Sequence, residues 1–220
     1  MKNFNSIGKP LIYLITGGEA TTENFAEKKP EILELIKHAV QAKISLIQIR
    51  EKCLSARLVF ELAAEAVKLT QNSETKILIN DRADIALAAN ADGVHLTSRS
   101  LSADIIRCNF PADFIIGVST HTIESAELAK KKGADFATFS PVFDSPNKSN
   151  LQGVEKLREV CEKLKPFPVI ALGGINETNY KSVLDNGASG FAAIRFLNDA
   201  RNIKQISRKA NKIRIDLLRN

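Results

Sequence analysis

The chain has 220 residues, of which 44% are apolar and 25% charged; this length suits one α/β barrel, and its core needs no disulfide or metal staple. No stretch approaches the roughly 20 apolar residues of a membrane span, and Met1 to Pro10 lacks a signal peptide's apolar core, so a cytoplasmic protein with no membrane partner is expected. The net charge of +6 admits an anionic small substrate or nucleic acid, and the three scattered cysteines, Cys53, Cys108 and Cys161, form no Cys-x-x-Cys pair that would signal a zinc knuckle or a redox dithiol.

Short apolar runs alternate with longer amphipathic ones along the chain. The predicted strands are Leu11–Ile15, Ser45–Ile49, Lys76–Ile79, Gly93–Leu96, Phe114–Val118, Phe136–Phe139, Pro168–Leu172 and Gly190–Ile194. Predicted helices between them include Pro30–Lys43, Ala56–Thr70, Ile123–Lys132, Val154–Leu164 and Glu177–Asn186. Apolar strands rich in Val, Ile and Phe suit a sheet buried on both faces. Such alternation implies parallel βαβ units with right-handed crossovers. A weak repeat supports this: Asn90-Ala91-Asp92-Gly93, Gly133-Ala134-Asp135-Phe136 and Gly187-Ala188-Ser189-Gly190 each close a helix and open a strand. Eight such units predict a single-domain (β/α)8 TIM barrel over residues 1–220, with an open doubly wound sheet as the alternative. The basic residues Arg201, Lys204, Arg208, Lys209, Lys212, Arg214 and Arg219 interleave with Ile203, Ile206, Ala210, Ile213 and Leu217. That spacing predicts a closing amphipathic helix with a solvated basic face. No aromatic stacking platform accompanies these charges, so a nucleic-acid partner is not expected.

In such barrels chemistry gathers on the loops after the strands. After the second run, alternation puts Gln48, Arg50 and Lys52 on one side if the strand extends that far. Two cations there suit a phosphate or diphosphate; the competing reading is a surface ion pair with Glu51. In Asn80-Asp81-Arg82, Asp81 is either a magnesium carboxylate or a helix N-cap. His95 lies inside an apolar run and reads as a core histidine. In Ser119-Thr120-His121-Thr122, His121 stands where a proton-transfer group would sit, or the segment simply caps the next helix. The polar loop from Ser140 to Asn150 is a candidate lid, with Lys148 able to close over an anion. Gly173 and Gly174 after the seventh run, with Ile194 and Arg195 after the eighth, form a candidate phosphate cradle.

Gln48-Ile49-Arg50-Glu51-Lys52, Ile79-Asn80-Asp81-Arg82, Asp92-Gly93-Val94-His95-Leu96, Gly117-Val118-Ser119-Thr120-His121-Thr122 and Ala171-Leu172-Gly173-Gly174-Ile175 occur in this order. The series resembles the motifs of the thiamin phosphate synthase family, which includes thiazole tautomerases. The resemblance implies coupling of an aminopyrimidine diphosphate to a thiazole phosphate, with magnesium and release of pyrophosphate. It implies that Gln48 and Ser119 face the pyrimidine and that Arg50, Lys52 and Asn80 hold the diphosphate. Asp81 would bind Mg2+, Lys148 with Ser145 would serve the pyrophosphate, and Gly173, Gly174, Ile194 and Arg195 would hold the thiazole phosphate. The partners implied are phosphorylated small molecules, and a homo-oligomer is compatible with the resemblance.

The chain departs from that pattern. The loop Thr97-Ser98-Arg99-Ser100 has no acid where the synthases carry a second magnesium aspartate, and Arg99 adds a cation. The lid keeps only Ser145 and Lys148 of a hydroxyl-rich motif, and Arg195 stands near the place of a serine. The tautomerases also lack the second aspartate and use a histidine near the fifth strand, a place His121 fits. Three readings therefore stand: the synthase, a thiazole tautomerase using His121, and a non-catalytic sensor of phosphate ligands.

Overall fold

A computed structural model describes residues 9–144 and 151–217, with the side chains of the last helix described through 209. The strands are β1 (Leu11–Ile15), β2 (Leu46–Ile49), β3 (Lys76–Asn80), β4 (Gly93–Leu96), β5 (Ile115–Thr120), β6 (Phe136–Phe139), β7 (Val169–Leu172) and β8 (Gly190–Ala193). They pair in parallel in chain order, and β8 closes on β1, forming a barrel rather than an open sheet. The helices are α1 (Phe25–Gln41), α2 (Ala56–Thr70), α3 (Ala83–Ala88), α4 (Ala103–Asn109), α5 (Ile123–Lys131), α6 (Gly153–Leu164), α7 (Tyr180–Asp185) and α8 (Ala200–Leu217).

Alternation along each strand divides the core in two. One parity, with Ile12, Leu14, Ile47, Ile49, Ile77 and Ile79, packs outward against the helices. The other fills the barrel: Leu11, Tyr13, Ile15, Leu46, Leu78, Ile115, Phe136, Ile170 and Ala192. Gly93 and Gly190 leave room for the neighbouring strand, since a Cβ would lie 2.1 Å from Ile115 O and 2.0 Å from Leu11 O respectively.

The repeated helix-to-strand turns have a common mechanism. Asn90, Gly133 and Gly187 adopt φ of 55°, 85° and 88°, the left-handed conformation that ends a helix. Asp92 and Asp135 then reach back, each accepting the second amide of its neighbouring strand, Ile77 N at 2.9 Å and Ile116 N at 2.8 Å.

Several boundaries differ from the expected ones. α1 begins at Phe25 rather than Pro30, because buried Phe25 anchors an earlier turn and Pro30 is accommodated inside the helix. α7 begins at Tyr180 rather than Glu177, because Asn176 and Asn179 spend their side chains on a local turn, Asn179 Oδ1 accepting from Asn176 N at 2.9 Å. β5 extends to Thr120 rather than ending at Val118, as Ser119 and Thr120 pair with Thr138 and Phe139. α8 is the expected amphipathic helix in its described part: Ile203 and Ile206 are buried, and Arg201, Lys204 and Arg208 are exposed.

Phe136 is fully buried inside the barrel against Tyr13 and His95. Phe136→Ala is expected to cost about 3–5 kcal/mol in urea unfolding, whereas Leu128→Ala, at a side chain 51% exposed, stays within about 0.5 kcal/mol.

Candidate active site

Parallel pairing places every βα loop at the same end of the barrel. Gln48 points inward from β2 but is only 1% exposed, so it lies below the mouth. Its Nε2 donates to the Tyr13 hydroxyl at 2.8 Å. That hydroxyl is 3.1 Å from His95 Nδ1, and His95 Nε2 is 2.9 Å from Ser119 Oγ. Ser119 is half-buried, on the last turn of β5 toward the loops. Burial pushes the Tyr13 phenol up and lowers the His95 imidazole from 6.5 to about 4, where the pull of Asp81 upward and of Arg50 downward are lesser effects. Both side chains are therefore neutral near pH 7. The sequence reading of His95 as a hydrogen-bonded core histidine holds, while Tyr13 was hidden inside an apolar run.

Arg50 leaves the end of β2 half-buried, its amide donating to Thr16 Oγ1 at 2.9 Å. Lys52 does not continue the alternation: β2 ends at Ile49, and Lys52 sits exposed in the following turn. Glu51 forms no surface ion pair with another described residue. It is 5% exposed, and its carboxylate accepts the amides of Gly18 at 3.1 Å and Ala20 at 2.9 Å, strapping the β1–α1 loop to β2.

Asp81 is not the cap of α3, whose N-cap position is Arg82. Asp81 takes φ 59°, and its Oδ1 accepts from Thr97 N at 3.2 Å, from Thr97 Oγ1 at 2.9 Å and from Ser100 Oγ. Asn80 Nδ2 donates to Oδ2 at 2.9 Å. The loop that lacks a second acid thus folds onto the one acid present. Arg99 points out of this knot and is exposed. Among the described residues no three His, Cys, Asp or Glu side chains gather as a metal cluster. The donor set at Asp81 is nonetheless all oxygen, one carboxylate beside two hydroxyls, which suits a hard cation that arrives on phosphate oxygens.

His121 is exposed beyond β5, and its Nδ1 lies 2.7 Å from the Ser140 carbonyl. A carbonyl only accepts, so Nδ1 carries a proton, and in a neutral ring Nε2 is then the nitrogen with the lone pair. Thr122 caps α5 through a reciprocal pair with Ser125. On the opposite side, the β7 and β8 loops line a groove of about 860 Å³ that includes Gly173, Gly174, Asn176, Ile194 and Arg195. Gly173 and Gly174 adopt φ of 102° and 64°, and a Cβ on Gly174 would lie 2.3 Å from Asp144 O. Only glycine fits there. Arg195 is exposed at the groove's rim. Ser145 and Lys148 lie outside the described residues.

A closed parallel barrel whose strand-end side chains converge on one polar mouth defines a TIM-barrel enzyme. The family model described as "Thiamine monophosphate synthase" matches residues 12–197. The chain is 35% identical over 183 residues to the thiamine-phosphate synthase of Caldanaerobacter subterraneus subsp. tengcongensis, covering 82% of this chain and 85% of that one. It is 37% identical over 185 residues to that of Syntrophomonas wolfei, covering 83% and 88%. The solved thiamine phosphate pyrophosphorylase from Pyrococcus furiosus superposes with a TM-score of 0.79 at 30% identity, over 96% of this chain and 98% of the other. The chain belongs to the thiamine monophosphate synthase family.

Because the fold holds His95 neutral, the unfolded chain binds more protons between pH 6.5 and about 4. Stability is expected to fall across that window as pH falls, by roughly 3 kcal/mol at most. Thermal melts of the wild type and His95→Asn should show a flatter acid limb in the variant.

Proposed function

We propose that the chain couples a 4-amino-pyrimidine methyl diphosphate to a thiazole phosphate, releasing pyrophosphate, and works in the cytoplasm as one barrel unit with small phosphorylated partners and no nucleic acid. One observation carries the reading. Arg50, Asn80 and Asp81 stand on one side of the mouth, the Gly173–Gly174 and Ile194–Arg195 groove stands on the other, and the Gln48–Ser119 floor lies between them. Two phosphorylated substrates can thus dock with their rings facing each other.

In this reading Arg50, Lys52 and Asn80 hold the diphosphate, and the groove amides with Arg195 hold the thiazole phosphate. The carbon–oxygen bond to pyrophosphate breaks, and the ring's amino group spreads the positive charge left on the methylene carbon. The thiazole nitrogen then supplies the electron pair for the new carbon–nitrogen bond. Neither step needs a protein acid or base, so positioning and charge neutralisation carry the acceleration. Asp81, with the hydroxyls of Thr97 and Ser100, would hold Mg2+, which would supply charge neutralisation to the leaving pyrophosphate. By resemblance, Lys148 and Ser145 would serve the leaving pyrophosphate.

A second reading, isomerisation of a carboxythiazole phosphate, is favoured by one feature: His121 Nε2 is left as an open base at the mouth. The two separate in a paired assay following thiamin phosphate from the first substrate pair and isomerisation of the second. Asp81→Asn keeps the side chain's shape and tolerates its positive φ. It is expected to lower thiamin phosphate formation by about 100-fold or more. Arg195→Ala should raise KM for the thiazole phosphate about tenfold, with KM for the pyrimidine diphosphate unmoved. Isomerisation alone, lost in His121→Ala, would replace the synthase reading.

A further inference from the structure

Tyr13 and His95 touch neither the mouth nor a neighbouring helix, yet they join two residues that face the site. The chain Gln48–Tyr13–His95–Ser119 is unbroken, with steps of 2.8, 3.1 and 2.9 Å. The Tyr13, His95 and Phe136 rings pack on one another with centroids 5.7–6.0 Å apart, which fixes their orientation. Such a chain has a direction. The Tyr13 hydroxyl holds one proton; since it accepts from Gln48, it gives that proton to His95 Nδ1. A neutral imidazole also holds one proton, so Nε2 carries it and donates to Ser119 Oγ. The Ser119 hydroxyl proton is then free to turn toward the mouth. Reversing any one bond reverses the others, because neither hydroxyl nor imidazole can donate twice.

We infer that Tyr13 and His95 are positioning residues that fix Ser119 as a hydrogen-bond donor to the substrate, so that the site selects a ring with a bare acceptor nitrogen, as in a 4-aminopyrimidine, over the 4-oxo form with a protonated ring nitrogen. The inference rests on the proposed pyrimidine substrate, and it assigns the preference to two residues that do not contact that ring. A ring N–H in that place would take the second lone pair of Ser119 Oγ and force the hydroxyl proton to turn away from the ring, so that proton loses its acceptor, a loss of the kind that discriminates strongly.

The test uses the full chain and three readouts. Nitrogen-15 shifts of the His95 imidazole, assigned with His95→Asn, should show protonated Nε2 and bare Nδ1; the opposite tautomer overturns the inference. Calorimetry should give the wild type about 100-fold preference for the 4-amino over the 4-oxo pyrimidine diphosphate. Tyr13→Phe, which removes only the buried oxygen, should cut that preference about tenfold or more. Ser119→Ala should do the same, and adding Tyr13→Phe to it should change nothing further. A merely structural Tyr13 would weaken both ligands alike and leave the ratio where it was, which also overturns the inference. Thiamin phosphate formation is followed separately. Discrimination without turnover sinks the proposed reaction and leaves the relay standing; turnover with an unmoved ratio does the reverse.

Discussion

The lumen of a closed eight-stranded barrel is too narrow to admit water freely, so a polar side chain that points into it is costly unless it finds a partner there, and among the described residues Thr138 on β6 is an exception whose hydroxyl oxygen finds none. Here that constraint falls on the inward parity of β1, β2, β4 and β5, where Tyr13, Gln48, His95 and Ser119 are polar among apolar neighbours. They satisfy one another in a single line that rises from the core to the mouth. Around the line Leu11, Leu46, Leu78 and Phe136 fill the rest of the interior with apolar side chains.

The charged part of the mouth is organised by carboxylates that hold backbone and hydroxyl groups rather than cations. Glu51 spends both oxygens on the amides of Gly18 and Ala20, and Asp81 gathers Thr97, Ser100 and Asn80. Each loop is thus tied to its neighbour by an acid from the strand end between them. Among the described residues the cations Arg50, Lys52 and Arg195 have no carboxylate ion-pair partner, which favours a positive entrance suited to anionic substrates.

The architecture was legible because its signals are local. Eight apolar runs, the Asn90, Gly133 and Gly187 turns and the basic interleaving of the last helix all appear within windows of a few residues, and each appears in the fold, the interleaving as far as Lys209, with Ala210, Lys212, Ile213, Arg214, Leu217 and Arg219 outside the described side chains. Short α3 and α4 span too few turns to show a period. Pro30 misled because proline favours the first turn of a helix, while the anchoring of Phe25 depends on contacts distant in sequence. In the site, alternation correctly put Gln48 and Arg50 on one side but could not show that β2 stops before Lys52. Glu51 looked like a surface partner because its real partners come from a loop about thirty residues earlier. Tyr13 gave no sign of itself within Leu-Ile-Tyr-Leu-Ile; the one available hint was its shared inward parity with other polar strand residues, and that needs the pairing of β1 with β2 to be known.

The seam between first and last strands has a consequence for how the chain is made. Asn198 Nδ2 donates at 2.7 Å to both Ile15 O and Ile194 O, joining groups 183 residues apart in the first case, and β1 finds its β8 partner only at Gly190. On the ribosome, β1 can pair with β2 early, but its other edge stays open until β8 has emerged. The earlier strands must wait as an unclosed, curling sheet with bare edges. Closure in this way waits for the eighth strand, and the interval in which a nascent chain is vulnerable to pairing with another lasts from the second strand to the eighth.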